Sequence, residues 1–179
     1  MKIGCISWSY RKAFADNKYD LLNWIRHCSR DVKLDGVELY NNHFVSLEEE
    51  YLDTISAICR EEKIELYSVA TKCLFGNFSK DEIKSAQTTL RNWLAATNRL
   101  GVSTMRVSIG GEELRDPTHQ QIVFKSLTEV INEGEYPSIS VGIENQEPGV
   151  VQQIEDVIEM DQLSVGKLKL ILDNGSFID

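Results

Sequence analysis

Short β-like runs alternate with longer helical ones along the whole chain. The strands fall near residues 2–7, 36–40, 64–70, 104–109, 138–144 and 167–173. Every interval has room for one helix and two loops, which is what a right-handed crossover between parallel neighbours requires. One supersecondary unit is repeated, and only a few architectures are built that way.

The strands choose among those architectures, because side chains alternate between the two faces of a sheet. In 138–144 the set Ile139, Val141, Ile143 is apolar, and the other set is Ser138, Ser140, Gly142, Glu144. Val37 and Leu39 stand against Gly36, Glu38 and Tyr40, and Met105, Val107 and Ile109 against Thr104, Arg106 and Ser108. Leu168, Leu170 and Leu172 likewise oppose Lys169, Ile171 and Asp173. A doubly wound sheet, such as a flavodoxin-like binding module, carries helices on both faces and needs apolar residues on both. A (β/α)8 barrel has helices outside only, and its lumen accepts small and polar side chains. The reading is therefore α/β, an incomplete TIM barrel with about six βα units in one domain over 1–179 and strands seven and eight absent. Barrels of this kind run to roughly 250 residues.

Capping boxes are expected at Ser46-Leu47-Glu48-Glu49, Ser79-Lys80-Asp81-Glu82 and Thr118-His119-Gln120-Gln121. Pro148 suits the first turn of the helix in the 150s, and Gly101 the stop of the helix before strand four. Apolar stripes at helical spacing run through Tyr51, Ile55, Ile58, through Ile83, Ala86, Leu90, Trp93, Leu94, Thr97, Leu100, and through Val151, Ile154, Val157, Ile158.

Two acids stand out against this frame. Ile143-Glu144-Asn145-Gln146 is echoed by Leu172-Asp173-Asn174-Gly175, so carboxylates sit at the C-terminal ends of two successive strands. That end of a βα-repeat sheet is where active sites assemble, and paired carboxylates there suit a divalent cation. The bland alternatives are a helix-capping or ion-paired Glu144 and a turn-forming Asp173. A formal charge of −9 and a pI near 4.9 argue against a nucleic-acid partner. Cys5, Cys28, Cys59 and Cys73 lack metal spacing, and no signal-peptide pattern opens the chain, so reduced thiols and a cytoplasmic location are expected. No apolar stretch approaches the roughly 20 residues of a membrane span.

In order and spacing, Met1-Lys2-Ile3-Gly4, Asp35-Gly36-Val37-Glu38-Leu39, Met105-Arg106-Val107 with Gly110-Gly111, Ile143-Glu144-Asn145 and Leu172-Asp173-Asn174-Gly175-Ser176-Phe177 resemble the xylose-isomerase-like TIM-barrel superfamily. That superfamily holds sugar and sugar-phosphate isomerases and epimerases, inosose dehydratases and an apurinic endonuclease branch. The resemblance implies a divalent cation, Mn, Zn, Co or Mg, bound by a Glu ending strand five, an Asp ending strand six, a His on strand seven and a Glu on strand eight. Glu144 and Asp173 match the first two, and the other positions fall beyond Asp179. It also implies proton transfer next to a sugar carbonyl, with Glu144 as one member of the acid–base pair. The endonuclease branch has a His three residues after the strand-six Asp, where this chain has Ser176.

Substrate-contact candidates are Trp8 at the rim after strand one, Glu38 and Arg106 on the lumen set, and Lys72 after strand three. A Glu38–Arg106 ion pair, a packing role for Trp8 and a solvated Lys72 are the competing readings. Leu74-Phe75-Gly76-Asn77-Phe78 reads as a mobile or a clamped rim loop, and His43 as a surface histidine. The expected function is a metal-dependent sugar or sugar-phosphate isomerase or epimerase whose present chain binds metal weakly and is inactive. The rival is a sugar- or partner-binding fragment completed by another chain, with oligomerisation through open barrel edges.

Overall fold

A computed structural model of the chain describes residues 2–75, 78–109, 116–146 and 149–173. Six strands, β1 (Gly4–Ile6), β2 (Gly36–Tyr40), β3 (Glu65–Lys72), β4 (Thr104–Ser108), β5 (Ser140–Glu144) and β6 (Lys169–Ile171), are hydrogen-bonded in sequence order. The helices are α1 (Arg11–Ala15), α2 (Leu21–His27), α3 (Glu49–Glu61), α4 (Lys80–Arg99), α5 (Pro117–Asn132) and α6 (Ile154–Ser164). The chain divides into two compact units, Met1–Ala70 with Ala96–Thr104, and Thr71–Ala95 with Met105–Asp179.

In the first unit β1 pairs with β2 in parallel, Gly4 opposite Gly36 and Ile6 opposite Glu38. The β2–β3 register slips between Val37 and Glu38, which face Leu66 and Ser68, so Tyr67 is an extra residue in a bulge. The Tyr67 ring lies over both glycines: a Cβ on Gly36 would stand 2.4 Å from Tyr67 Cε2 and 2.6 Å from the Glu65 carbonyl oxygen. The opposite face buries Val37 and Leu39 with Leu21, Trp24 and Ile25 of α2 and Leu52, Ile55 and Ile58 of α3. Asp20 starts α2 by accepting from the Asn23 N–H at 2.7 Å.

In the second unit β5 pairs with β6 in parallel, Gly142 opposite Lys169 and Glu144 opposite Ile171. Met105, Val107, Val141 and Ile143 are buried with Leu90 and Leu94 of α4 and Val123, Phe124 and Leu127 of α5. The apolar sets expected of β2, β4 and β5 are thus buried, whereas of the expected set on β6 only Leu168 is buried, Leu170 being half-buried and Leu172 exposed. The stripe on α4 is buried from Ala86 to Leu100, with Ile83 half-buried. Gly101 ends that run at φ +72°, a left-handed conformation that favours glycine.

Several helix starts differ from expectation, each because a nearer polar group wins. Asp116, not Thr118, caps α5 and accepts from the Thr118 N–H at 2.8 Å, which leaves Pro117 in the first turn. Ser46 Oγ accepts from the Glu48 N–H at 2.9 Å in a local turn, and α3 begins afterwards. Ser79 behaves as expected, accepting from the Glu82 N–H at 3.3 Å. Gln153 and Asp156 form the capping box of α6, and Pro148 lies outside the described residues. Gln120 Nε2 donates to Asp156 Oδ1 at 3.0 Å, tying that side of α6 to α5. Asp156, Met160 and Ser164 follow at four-residue spacing, and the last two are buried. The expected stripe is therefore out of phase: Ile154 and Ile158 are exposed, and the buried Val151 precedes the helix.

Replacing Gly36 by Ala drives a methyl group into the Tyr67 ring and the Glu65 carbonyl. We expect a loss of about 2–3 kcal/mol in urea-unfolding stability. A wild-type midpoint would show that the bulge yields freely.

Candidate functional site

Glu144 is the last residue of β5 and stands opposite Ile171, with Asp173 two residues further along. Paired residues of parallel strands point to one face, so Glu144 and Ile171 share a face of the β5–β6 pair, and Asp173 falls on it where the alternation of β6 carries on past Ile171. Strand spacing puts their Cβ atoms roughly 8 Å apart. On the same face Gly142 makes room for Ile171, whose Cγ1 would be 2.6 Å from a Cβ there.

Past the end of β6 the main chain is held by a side chain. Asn145, fully buried, donates from Nδ2 to the Asp173 carbonyl at 2.7 Å and accepts the Asp173 N–H on Oδ1 at 2.7 Å. Its amide takes the part a neighbouring strand's peptide would play, and it fixes the backbone that carries the second acid. Sequence reasoning used Asn145 only as part of a motif; its role as a clamp follows from the β5–β6 register.

Arg106, central in β4, is on the side-chain set that faces the same way as Glu144, and its Nη1 forms an ion pair with Glu144 Oε2. Both side chains are mostly withdrawn from water, at 10% and 22% exposure. Glu144 and Asp173 are hard oxygen donors of the type a divalent cation takes, and together they could offer it two ligands. Among the described residues no group of three or more His, Cys, Asp or Glu is gathered to hold an ion. Lys72 ends β3 exposed to solvent. Near it Phe75 is buried, and Phe78 stacks on His119 with ring centroids 3.9 Å apart, the contact expected of a clamped loop. Gly76 and Asn77 lie outside the described residues.

The remaining candidates belong to the first unit. Glu38 Oε1 accepts from Ser68 Oγ at 2.8 Å beside an open groove of about 310 Å³ lined by Gly4, Cys5, Ile6 and Tyr67. Trp8 is 45% exposed, packs on Tyr40 at 4.8 Å, and carries the Arg11 guanidinium over its ring at 5.3 Å. All four cysteines are free. Burial pushes the thiols of Cys28 and Cys73 up to about 12 and that of Cys59 to about 11, while Cys5 is half-buried.

His43 is not the surface residue expected. It stacks on Phe14 at 3.7 Å, and its Nδ1 lies 2.9 Å from Oγ of the buried Ser7. That oxygen also accepts the Tyr40 N–H at 2.8 Å, so the buried hydroxyl links the end of β2 to the imidazole. No local signal foretold this, because the partners are 36 residues apart.

No protein-family model and no curated protein matches the sequence. Solved structures do match the fold. A probable 3-DHS dehydratase from Bacillus anthracis superposes with a TM-score of 0.75 at 12% identity, over 99% of this chain and 64% of that one. A D-psicose 3-epimerase with D-tagatose from Clostridium cellulolyticum gives 0.76 at 15%, over 97% and 63%. The IOLI protein with a binding zinc atom gives 0.74 at 16%, over 99% and 64%. The chain has the fold of the xylose-isomerase-like TIM barrels and spans about 64% of the length of these structures. Among the described residues no helix is long and apolar enough to cross a membrane.

Burial holds the His43 imidazole below its ordinary value of 6.5. The unfolded chain therefore binds this proton first, and stability, complete above about pH 6.5, falls as the pH drops toward the lowered folded value. Urea unfolding at a series of pH values should show this loss in wild type and a shallower slope in His43→Gln. Equal slopes would contradict it.

Proposed function

We propose that this chain is part of a metal-dependent isomerase or epimerase acting on a sugar or sugar phosphate. The observation that carries the reading is that Glu144 ends β5 opposite Ile171 while Asp173 follows two residues later on the neighbouring strand's exit, its backbone clamped by Asn145. Solved structures of the same fold include an epimerase with a bound sugar and a protein with bound zinc, which supports the ligand classes. In this reading the two carboxylates give two ligands to Mn, Zn, Co or Mg, and the cation, when bound, polarises the sugar's oxygen. Glu144 also moves the proton on the carbon beside the carbonyl. Within the second unit Arg106 contacts a hydroxyl or anionic group and Lys72 attracts a phosphate; Trp8 and Glu38, in the first unit, offer an exposed ring and a carboxylate of the kind that contact sugars. The acidic balance weighs against a nucleic-acid partner, and the thiols fit a cytoplasmic setting.

Two carboxylates are an open half-cage, so the 179 residues bind a cation weakly and do not turn substrate over on their own. Submicromolar affinity in calorimetry would contradict that. The site itself is tested by titrating Mn2+ into labelled protein and following amide NMR signals. Paramagnetic broadening should centre on Glu144, Asn145, Ile171 and Asp173, and Glu144→Gln should remove it. Broadening centred elsewhere, or unchanged in the variant, would defeat the assignment.

A second reading, a barrel fragment completed by another chain, draws on the outer side of the second unit. Ile154 and Ile158 of α6 are more than half exposed, and Ile158 lines an open groove with Gln121, Glu155 and Leu163; Leu172, past the end of β6, is also more than half exposed. Light scattering separates the two: a discrete oligomer that Ile154→Glu/Ile158→Glu dissolves favours completion by a partner, and a monomer at all concentrations argues against it.

A further inference from the structure

The site proposed above places a cation on a carboxylate that already carries one. The guanidinium of Arg106 donates to Oε2 of Glu144, and little water reaches either group to screen their charges. A dication arriving at Glu144 then meets a fixed positive charge one carboxylate away. At such separations, in a partly dry site, that repulsion outweighs what a hydrogen bond gains by orienting the carboxylate.

Resting on that reading of the site, we infer that Arg106 is a resident counter-ion of Glu144 that competes with divalent metal. In the cation-free protein it keeps the poorly solvated Glu144 carboxylate compensated, and by the same contact it holds down the affinity of the Glu144–Asp173 pair. Arg106 is in this respect a positioning residue whose charge sets the concentration at which metal enters.

The experiment uses Mn2+ alone as the probe, titrated calorimetrically into the 179-residue wild type, Arg106→Gln, Arg106→Lys, Glu144→Gln and the double variant Arg106→Gln/Glu144→Gln. Glutamine still donates a hydrogen bond to Glu144 without the charge, and its Mn2+ affinity should rise about tenfold or more. Lysine keeps the charge and should stay near wild type. The double variant should lose the gain. Affinity in Arg106→Gln equal to or below wild type overturns the inference, as does an equal gain in Arg106→Lys. Loss of binding in Glu144→Gln alongside such a result would leave the site standing. A gain that survives in the double variant shows Mn2+ binding elsewhere, and it is then the site reading that fails. If Arg106→Gln does not fold in the absence of metal, Mn2+ should restore its circular-dichroism spectrum, since a ligand that binds only the folded state stabilises it. No restoration counts against the inference.

Discussion

A strand in a parallel sheet cannot hand the chain to its neighbour without crossing one face, and that requirement governs everything described above. It fixes the alternation of strand and helix, and it reserves one face of each strand for apolar residues under the crossover helices. It also brings successive strands to their C-terminal ends side by side. The face left over holds Gly36, Glu38, Arg106, Gly142 and Glu144, residues that an inward helix would not tolerate. Glu144 and Asp173 leave the sheet at the same end because β5 and β6 pair from Gly142 and Lys169 to Glu144 and Ile171, with Asp173 two residues on. Asn145 then extends the pairing past the last main-chain bond, exchanging two side-chain hydrogen bonds with the Asp173 backbone.

Much of this is legible in the sequence, because period-two alternation and thirty-residue spacing are long-range regularities that many residues report together. The strand 36–40 appears with the boundaries expected, and the apolar sets of β2, β4 and β5 are buried as read. The one-faced pattern identifies the fold that the structural matches bear out. Gly101 stops its helix as its position suggested, since a left-handed residue is a local demand with few solutions.

What the sequence conceals are contests between near neighbours and meetings between distant ones. Asp116 and Thr118 both qualify as caps; the carboxylate wins because it stands beside Pro117, which already occupies the first turn. The phase of α6 is set by Gln120 reaching Asp156 from another helix, and no inspection of residues 151–164 alone would reveal it. His43 is similar: its burial depends on Phe14 and Ser7, and a histidine near the end of a strand gives no hint of either. Arg106 reaches Glu144, 38 residues away, because β4 and β5 bring them together, a meeting that no local signal announces.

The four cysteines give the molecule an unplanned convenience. Three thiols are sealed from water, and burial holds them protonated far above neutral pH, so an alkylating reagent meets almost no thiolate at Cys28, Cys59 or Cys73 while the fold is intact. Cys5 is the reachable thiol, and it borders the groove shared by Glu38 and Ser68. A single fluorophore or spin label can therefore be attached beside the Glu38 groove of the first unit without engineering away any native residue.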